Sequence, residues 1–428
     1  MNPAVRLKQI LLVVGDVATL YVALFLTLFI RYGVTWEGAE TQSHFQPFSI
    51  LFALWVLVFY VNGLYEIGKM KNTATFVKNL LAATFVAATL SVAFFYFITI
   101  YGITPKTNLF IFLVFAFAFT YLWRTFYNNA LGKHLPVTSV AFFRTSPVTT
   151  EITHAVAENP QLGYRITDDV ESADLIVVPP RATDADAHTT TLYRYAVAGV
   201  EVTDTTTFYE LVFGRLPIAE LEEAWFLKSL ANRHTIYDFF RTPVEMLMAI
   251  VILAIASPVM LAIAVLIQLT SRGPVIFKQV RTGEFGREFT LYKFRSMVVD
   301  AEKTTGPVWK TENDPRFTAI GRLIERTHLD ELPQLINILK GDASFVGPRP
   351  ERPAFVHELK GAIPYYELRH LVRPGIAGWA QLQYKYGSSV EDAYQKLQYD
   401  LYYLKNRSFL LDLSIILKTF KLFFVRPI

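Results

Sequence analysis

HLDELPQLINILKGDASFVGPRPE, residues 328–351, opens on two adjacent acids, Asp330 and Glu331, and closes on the turn Gly347-Pro348-Arg349-Pro350. Pro333 falls early in the intervening apolar run, where proline costs a helix little, so the spacing predicts a short helix with both acids at its start. The partial positive charge of a helix N-terminus keeps carboxylates ionised and attracts phosphate. Arg349, held between two prolines, has little entropy left to lose and presents a planar fork suited to phosphate oxygens. Capping alone accounts for acids in a first turn but not for the basic, proline-rich turn that follows. An acid pair beside a fixed arginine is the pattern of metal-assisted phosphoryl chemistry. Asn337, Asp342 and Glu351 are read as structural, and His328 as a bystander.

Composition places this chemistry at a membrane. Of 428 residues, 52% are hydrophobic and only 18% charged, against about 25% charged in soluble domains. No cysteine is present, which excludes a disulfide scaffold and thiolate metal sites. The net charge of +4 is unevenly spread: residues 133–230 carry 7 Lys+Arg and 14 Asp+Glu, whereas residues 270–428 carry 24 and 17. Anionic substrates or lipid headgroups are therefore expected at the carboxy-terminal part, and nucleic acid is not an expected partner.

Four apolar stretches, Leu11–Ile30, Phe48–Leu64, Leu80–Tyr101 and Leu109–Trp123, are each near the roughly 20 residues that span a bilayer. The first is too long for a signal peptide, lacks a cleavage site and reads as a signal anchor. Arg6 and Lys8 precede it; Lys69, Lys71 and Lys78 separate spans two and three; Arg124, Lys133 and Arg144 follow span four. Glu37 and Glu40 lie in the first loop, so both ends of the bundle are expected in the cytoplasm. A transporter or flippase is disfavoured on the expectation that these spans hold no charge in the bilayer.

Residues 133–230 read as a small α/β unit: strand Val137–Phe143, helix Val148–Ala157, strand Ala173–Val178 ending at Pro179-Pro180, helix Leu192–Val197 and strand Val200–Val202. The order is Rossmann-like, but the first strand-to-helix turn, Arg144-Thr145-Ser146-Pro147, lacks the glycines that let backbone approach a pyrophosphate. A structural or regulatory role is expected, with homodimerisation as one possible use of this surface.

Met246–Ile267 is apolar except at Ser257-Pro258. Its flanks are basic on both sides, Arg241 before it and Arg272, Lys278 and Arg281 after it, and Pro258 favours a sharp kink. A re-entrant helix at about 244–269 is expected rather than a spanning one. Downstream, the strand containing Lys293 and Arg295 places both cations on one face, as suits a diphosphate; a solvated edge strand reads equally well. Arg373-Pro-Gly-Ile-Ala-Gly-Trp379-Ala-Gln381 is a second Gly/Pro-rich turn, in which Arg373 can reach phosphate and Trp379 is an interfacial anchor or a core residue. The end, Phe409–Phe424 with Lys418, Lys421 and Arg426, reads as an amphipathic helix on the membrane.

Phe277–Met297, Leu329–Leu335, Gly347–Glu351 and Arg373–Gln381 together resemble the bacterial sugar transferases, the monotopic polyprenyl-phosphate hexose-1-phosphate transferases. The amino-terminal half resembles the large members, which place four spans and a degenerate nucleotide-binding-like domain before the catalytic one. The resemblance implies a four-helix transmembrane domain at 1–128, a degenerate Rossmann-like domain at 133–230 and a mainly helical catalytic domain at 236–428. It implies transfer of a sugar-1-phosphate from a UDP-sugar to undecaprenyl phosphate at the cytoplasmic face of the inner membrane, with release of UMP. The implied mechanism is ping-pong: Asp330 matches the nucleophile, Glu331 the neighbour that helps hold Mg²⁺, Arg349 the arginine of the Pro-Arg-Pro motif, and Ser257-Pro258 the break in the re-entrant helix. Phosphate or substrate contacts are expected from Lys293, Arg295, Arg281, Arg326, Arg349, Arg373 and Gln381. Two departures are Glu325 before Arg326, where the family often has basic residues, and Ala377 where threonine is common. The alternative is a catalytically inactive membrane regulator or scaffold of the same fold.

Overall fold

A computed structural model describes residues 3–33, 39–66, 71–98, 106–131, 137–179, 186–230, 235–299, 301, 314–384, 387 and 389–425. Glu37, Lys69, Pro180, Lys133 and Arg426 lie outside the described residues. The chain divides into two units, Met1–Val212 and Phe213–Ile428.

The first unit begins with four apolar helices, α1 (Pro3–Tyr32), α2 (Ala39–Val61), α3 (Ala74–Phe97) and α4 (Lys106–Phe126). They share one core in which Leu20, Leu24, Phe48, Phe52, Trp55, Leu80, Ala83 and Phe112 are all buried. Phe112 is its aromatic centre, with ring centroids 5.3 Å from Phe48, 5.7 Å from Phe52 and 5.6 Å from Trp55, distances at which aromatic pairs add to simple area burial. The expectation of charge-free spans is corrected here. Asp16, inside the first apolar stretch, accepts hydrogen bonds from Arg124 Nε at 3.1 Å and Nη2 at 2.5 Å, and both side chains are buried. Arg124 also donates to the Leu64 carbonyl at 2.7 Å. A paired, doubly hydrogen-bonded charge is the form in which an ion survives burial, because either partner alone leaves an uncompensated charge. Arg124 is thus a tie between helices and not a free flanking cation.

The same unit continues with four parallel strands in the order β2-β1-β3-β4: β1 (Thr138–Phe142), β2 (Tyr164–Ile166), β3 (Leu175–Val178) and β4 (Glu201–Asp204). Helices α5 (Pro147–Glu158), α6 (Asp186–Val197) and α7 (Thr205–Phe213) follow β1, β3 and β4 respectively. The expected strands and helices occur; β2 is an addition, a three-residue strand too short to show alternation. At the glycine-free turn, Ser146 caps α5: its hydroxyl accepts from the Thr149 amide at 3.2 Å, and Thr149 Oγ1 accepts from the Ser146 amide at 2.7 Å. Amides that would face a pyrophosphate are occupied by this capping box.

The second unit contains α8 (Glu223–Leu230), α9 (Thr235–Thr270), the antiparallel pair β5 (Ile276–Thr282) and β6 (Glu288–Phe294), α10 (Ala319–Arg326), α11 (Leu335–Lys340), β7 (Ser344–Val346), α12 (Pro353–Ala362), β8 (Gly375–Ala377), α13 (Trp379–Gln383), α14 (Val390–Asn406) and α15 (Phe409–Val425). Every residue of α9 is helical, including Ser257 and Pro258. The proline ring removes the donor that would serve the Ala254 carbonyl, and the Ser257 hydroxyl takes its place at 2.8 Å. Most of α9's apolar surface has no protein partner; Ile255 is 74% and Leu269 78% exposed. With α9 included, five helices among the described residues are long and apolar enough to cross a membrane.

One side of α9 does pack. Ala249 meets Leu335, Ile338 and Ala343, and Ile263 and Ile267 meet Phe294 and Ile324. Near its start, Arg241 is buried and bonds Glu245, Ser344 and the Val346 carbonyl, with Asp412 of α15 at 3.5 Å. Arg241 is therefore structural and does not count as a free flanking charge; Arg272 and Lys278 on the far side are exposed. Helix α15 docks through Asp412 and the fully buried Ile415, and leaves Leu410 and Leu413 exposed.

Strands β7 and β8 are parallel and bring the two Gly/Pro-rich turns onto each other: the Gly347 amide bonds the Ala377 carbonyl and the Gly375 amide bonds the Pro348 carbonyl, at 2.9 and 3.0 Å. A Cβ on Gly375 would sit 2.0 Å from the Gly347 nitrogen, and one on Gly347 would sit 2.4 Å from the Arg373 carbonyl oxygen. Both neighbours are backbone and cannot step aside. Gly375→Ala is therefore expected to cost more than about 3 kcal/mol. The check is the yield and thermal midpoint of detergent-extracted protein, with Gly361→Ala, where the added carbon meets nothing within 4 Å, as the control.

Candidate active site

Three segments of the second unit meet at the acid pair. The first is a six-residue 3₁₀ turn, Leu329–Gln334, entered through His328 in the left-handed conformation (φ 55°) and running into α11. Asp330 and Glu331 occupy its first turn and Pro333 its last. This differs from the expected helix start: so short a turn carries little aligned dipole, and the charge around the acids comes from side chains. The second segment is β6, whose Lys293 Nζ lies 2.7 Å from Glu331 Oε1 and 3.5 Å from Asp330 Oδ2. The third is the Pro-Arg-Pro turn, where Arg349 Nη2 donates to the same Glu331 Oε1 at 2.6 Å.

Each segment is braced from behind. Asn337 of α11, fully buried, accepts from the Tyr292 amide at 3.1 Å and donates to the Thr290 carbonyl at 2.7 Å, locking β6 to the helix that follows the acids. Arg369, also buried, donates to the Arg349 carbonyl at 3.0 Å while binding Asp400 and the Tyr366 hydroxyl. Nothing in the sequence near Arg369 marked it, because its role is visible only from its partners.

The two acids have different electrostatics. Burial pushes the Asp330 carboxyl up to about 6, the Lys293 charge only partly opposing it. Burial acts on Glu331 too, but Arg349 and Lys293 outweigh it and hold this carboxylate well below its usual range. Burial also lowers His328.

Of the other cations expected at phosphate, most have structural partners. Arg295 is buried and donates to the Arg272 and Ser271 carbonyls and the Ser271 hydroxyl, closing the end of α9; the strand stops at Phe294, and the expected Lys293/Arg295 pair does not gather at the acids. Arg281 bonds Gln279 and the Pro350 carbonyl, bracing the Pro-Arg-Pro turn. Arg373 donates to Thr242 Oγ1 at 2.7 Å on α9. Arg326 is exposed at the end of α10 and Gln381 sits in α13; among the described residues neither bonds the acid pair. Trp379 stacks on Tyr402 and donates to the Gly214 carbonyl, a packing role.

A family profile described as bacterial sugar transferase matches residues 236–426, the stretch that holds this whole constellation. An exopolysaccharide production protein of Rhizobium leguminosarum bv. phaseoli is 40% identical over 174 residues, which are 39% of this chain and 86% of that protein. The chain belongs to the bacterial sugar transferase family. A UDP-N-acetylgalactosamine-undecaprenyl-phosphate N-acetylgalactosaminephosphotransferase of Aeromonas hydrophila is 42% identical over 230 residues, 54% of each chain. A UDP-glucose:undecaprenyl-phosphate glucose-1-phosphate transferase of Escherichia coli K12 is 42% identical over 178 residues, 41% of this chain and 38% of the relative. The match thus spans about half, or less, of these two relatives.

An Asp330 carboxyl near 6 makes its ionised form a function of pH in the working range. A reaction that needs the anion rises with pH through about 6. Since Lys293 favours the anion, Lys293→Met is expected to move the acid limb of the kcat/KM profile upward by on the order of one pH unit. An unmoved limb in that variant would show that Lys293 does not set Asp330's ionisation.

Proposed function

We propose that the protein transfers a sugar-1-phosphate from a UDP-sugar to undecaprenyl phosphate by a two-step, ping-pong route. An oxygen of ionised Asp330 attacks the β-phosphorus of the donor; the bond from that phosphorus to the bridging oxygen breaks, and UMP leaves with the electron pair. The acceptor's phosphate oxygen then attacks the same phosphorus, the bond to Asp330 breaks, and the carboxylate is restored as the polyprenyl diphosphate sugar forms. The observation that carries this reading is the unequal acid pair: one carboxylate buried and weakly paired, its neighbour tied to two cations. Lys293 and Arg349, beside the acids, supply positive charge of the kind that must offset a diphosphate before an anion can attack it. The relatives' names support the donor and acceptor classes.

Mg²⁺ fits the donor set. It binds through one or two carboxylates and completes its shell with water and substrate phosphates, and among the described residues no group of three or more His, Cys, Asp or Glu could hold a metal by itself. Glu331, with Asp330 beside it, would hold the ion, which when bound neutralises phosphate charge and polarises the phosphorus. Asp330→Asn is expected to lower UMP release by at least about a thousandfold while the protein still folds. Brief incubation with β-³²P-labelled UDP-sugar and no acceptor should label the wild-type chain and leave the variant unlabelled; UMP release by the variant near the wild-type rate would refute the covalent route.

The domain division read at 1–128, 133–230 and 236–428, the four-helix transmembrane arrangement and the cytoplasmic inner-membrane site belong to the same proposal, with residues 213–230 packing in the second unit. Helix α9 is then re-entrant, returning its basic end to the side it left; exposed Arg272 and Lys278 support that end at the cytoplasmic headgroups. The cysteine-free chain makes this testable by single-cysteine labelling. Lys278→Cys and, as reference, Arg144→Cys should both react with an impermeant maleimide in inside-out vesicles only. Labelling of position 278 from the periplasmic side would make α9 a spanning helix.

A further inference from the structure

The first unit contains a half-open cavity of about 750 Å³ where the ends of α1 and α4 and the residues preceding α3 meet α5 and β2. It is separate from the capped Arg144–Pro147 turn, and its properties do not depend on the chemistry of the second unit. Among the described residues its charged lining is Lys8, Lys71 and Arg165, with no acid. Lys8 is 1% exposed, and its ammonium meets the Gln161 carbonyl at 3.4 Å. A buried ammonium set against a neutral carbonyl is costly to maintain, and an anion in the cavity removes that cost. Part of the wall is a chain of amides, Asn128 to Asn72 at 2.8 Å and Asn72 to Asn129 at 2.9 Å, which offers neutral hydrogen-bonding groups beside the cations. Val137, Val156, Ala157 and Ile166 form an apolar part of the wall.

We propose that this cavity binds a phosphate group carried on an apolar body, with the headgroup of an anionic membrane phospholipid as its occupant. In the transmembrane arrangement proposed above, on which this inference rests, Lys8 and Lys71 lie at the ends of apolar helices, at headgroup depth, where each cation attracts anionic lipid. The apolar wall then receives the glycerol and first acyl carbons. A soluble phosphate shares the anionic chemistry but leaves that wall unused.

The test is thermal unfolding of the full-length protein in detergent, titrated with phosphatidylglycerol, with phosphatidylcholine, and with inorganic phosphate. Lys71→Gln and Arg165→Gln are combined in one variant, since both residues are exposed and their loss spares the core; Lys71→Arg retains the charge. Phosphatidylglycerol should raise the wild-type midpoint more than phosphatidylcholine does. Half-saturation should require about tenfold more of it in the double variant and remain unchanged in Lys71→Arg. A response to inorganic phosphate that the double variant loses would keep the phosphate site and assign it a soluble source. Equal responses of wild type and double variant to both lipids, with none to phosphate, would overturn the proposal.

Discussion

Glu331 Oε1 accepts from Lys293 and from Arg349, at 2.7 and 2.6 Å, and those two bonds join three parts of the chain at one oxygen. Lys293 arrives on a β-hairpin, Arg349 on a proline-bounded turn, and Glu331 on a 3₁₀ turn. A buried carboxylate without these partners would protonate or drive water in. The shared oxygen therefore closes the local fold and sets the charge of the site in one interaction.

That interaction holds its geometry because each arm is anchored elsewhere. Asn337 bridges the hairpin to α11, Arg369 fixes the carbonyl of Arg349, and the Gly347/Gly375 approach seats the Pro-Arg-Pro turn on β8. Helix α9 packs on α11 and on the end of β6 alike. The exposed apolar face of α9 and the acid pair are thus parts of one packed unit, so the position of α9 also sets that of Asp330.

The acid pair, the rigid arginine turn, the apolar stretches and the alternating strands and helices of the middle region were legible because each has a local signature: adjacent charges, proline, length, period. What was not legible was where the cations point. Arg295, Arg281, Arg373 and Arg241 look from sequence like phosphate ligands or headgroup charges, yet their hydrogen bonds run to carbonyls, hydroxyls and buried acids of the scaffold. Main-chain carbonyls leave no trace in residue identity, so an arginine that closes a helix end reads like one that meets phosphate. Asp16 is the converse case: a visible charge in an apolar run acquires meaning only with Arg124, 108 positions away.

The asymmetry between the two acids bears on how they divide the work. Two cations are available to two carboxylates, and Glu331 takes the short bonds from both, while Asp330 has Lys293 at 3.5 Å. A carboxylate held this tightly is a poor nucleophile, since its electron pairs are engaged and attack would sacrifice two charge-assisted bonds. It is well suited to staying ionised and anchoring cationic partners. Asp330, raised by burial and weakly paired, is more basic and has less to lose on bonding to phosphorus. In the proposed reaction this difference suits Asp330, more than Glu331, to the attack. The same argument makes the roles non-interchangeable: exchanging the two residues would put the shorter aspartate at the shared oxygen, too far to keep both cations, and would leave the longer glutamate as an unpaired acid in a space shaped for the shorter one.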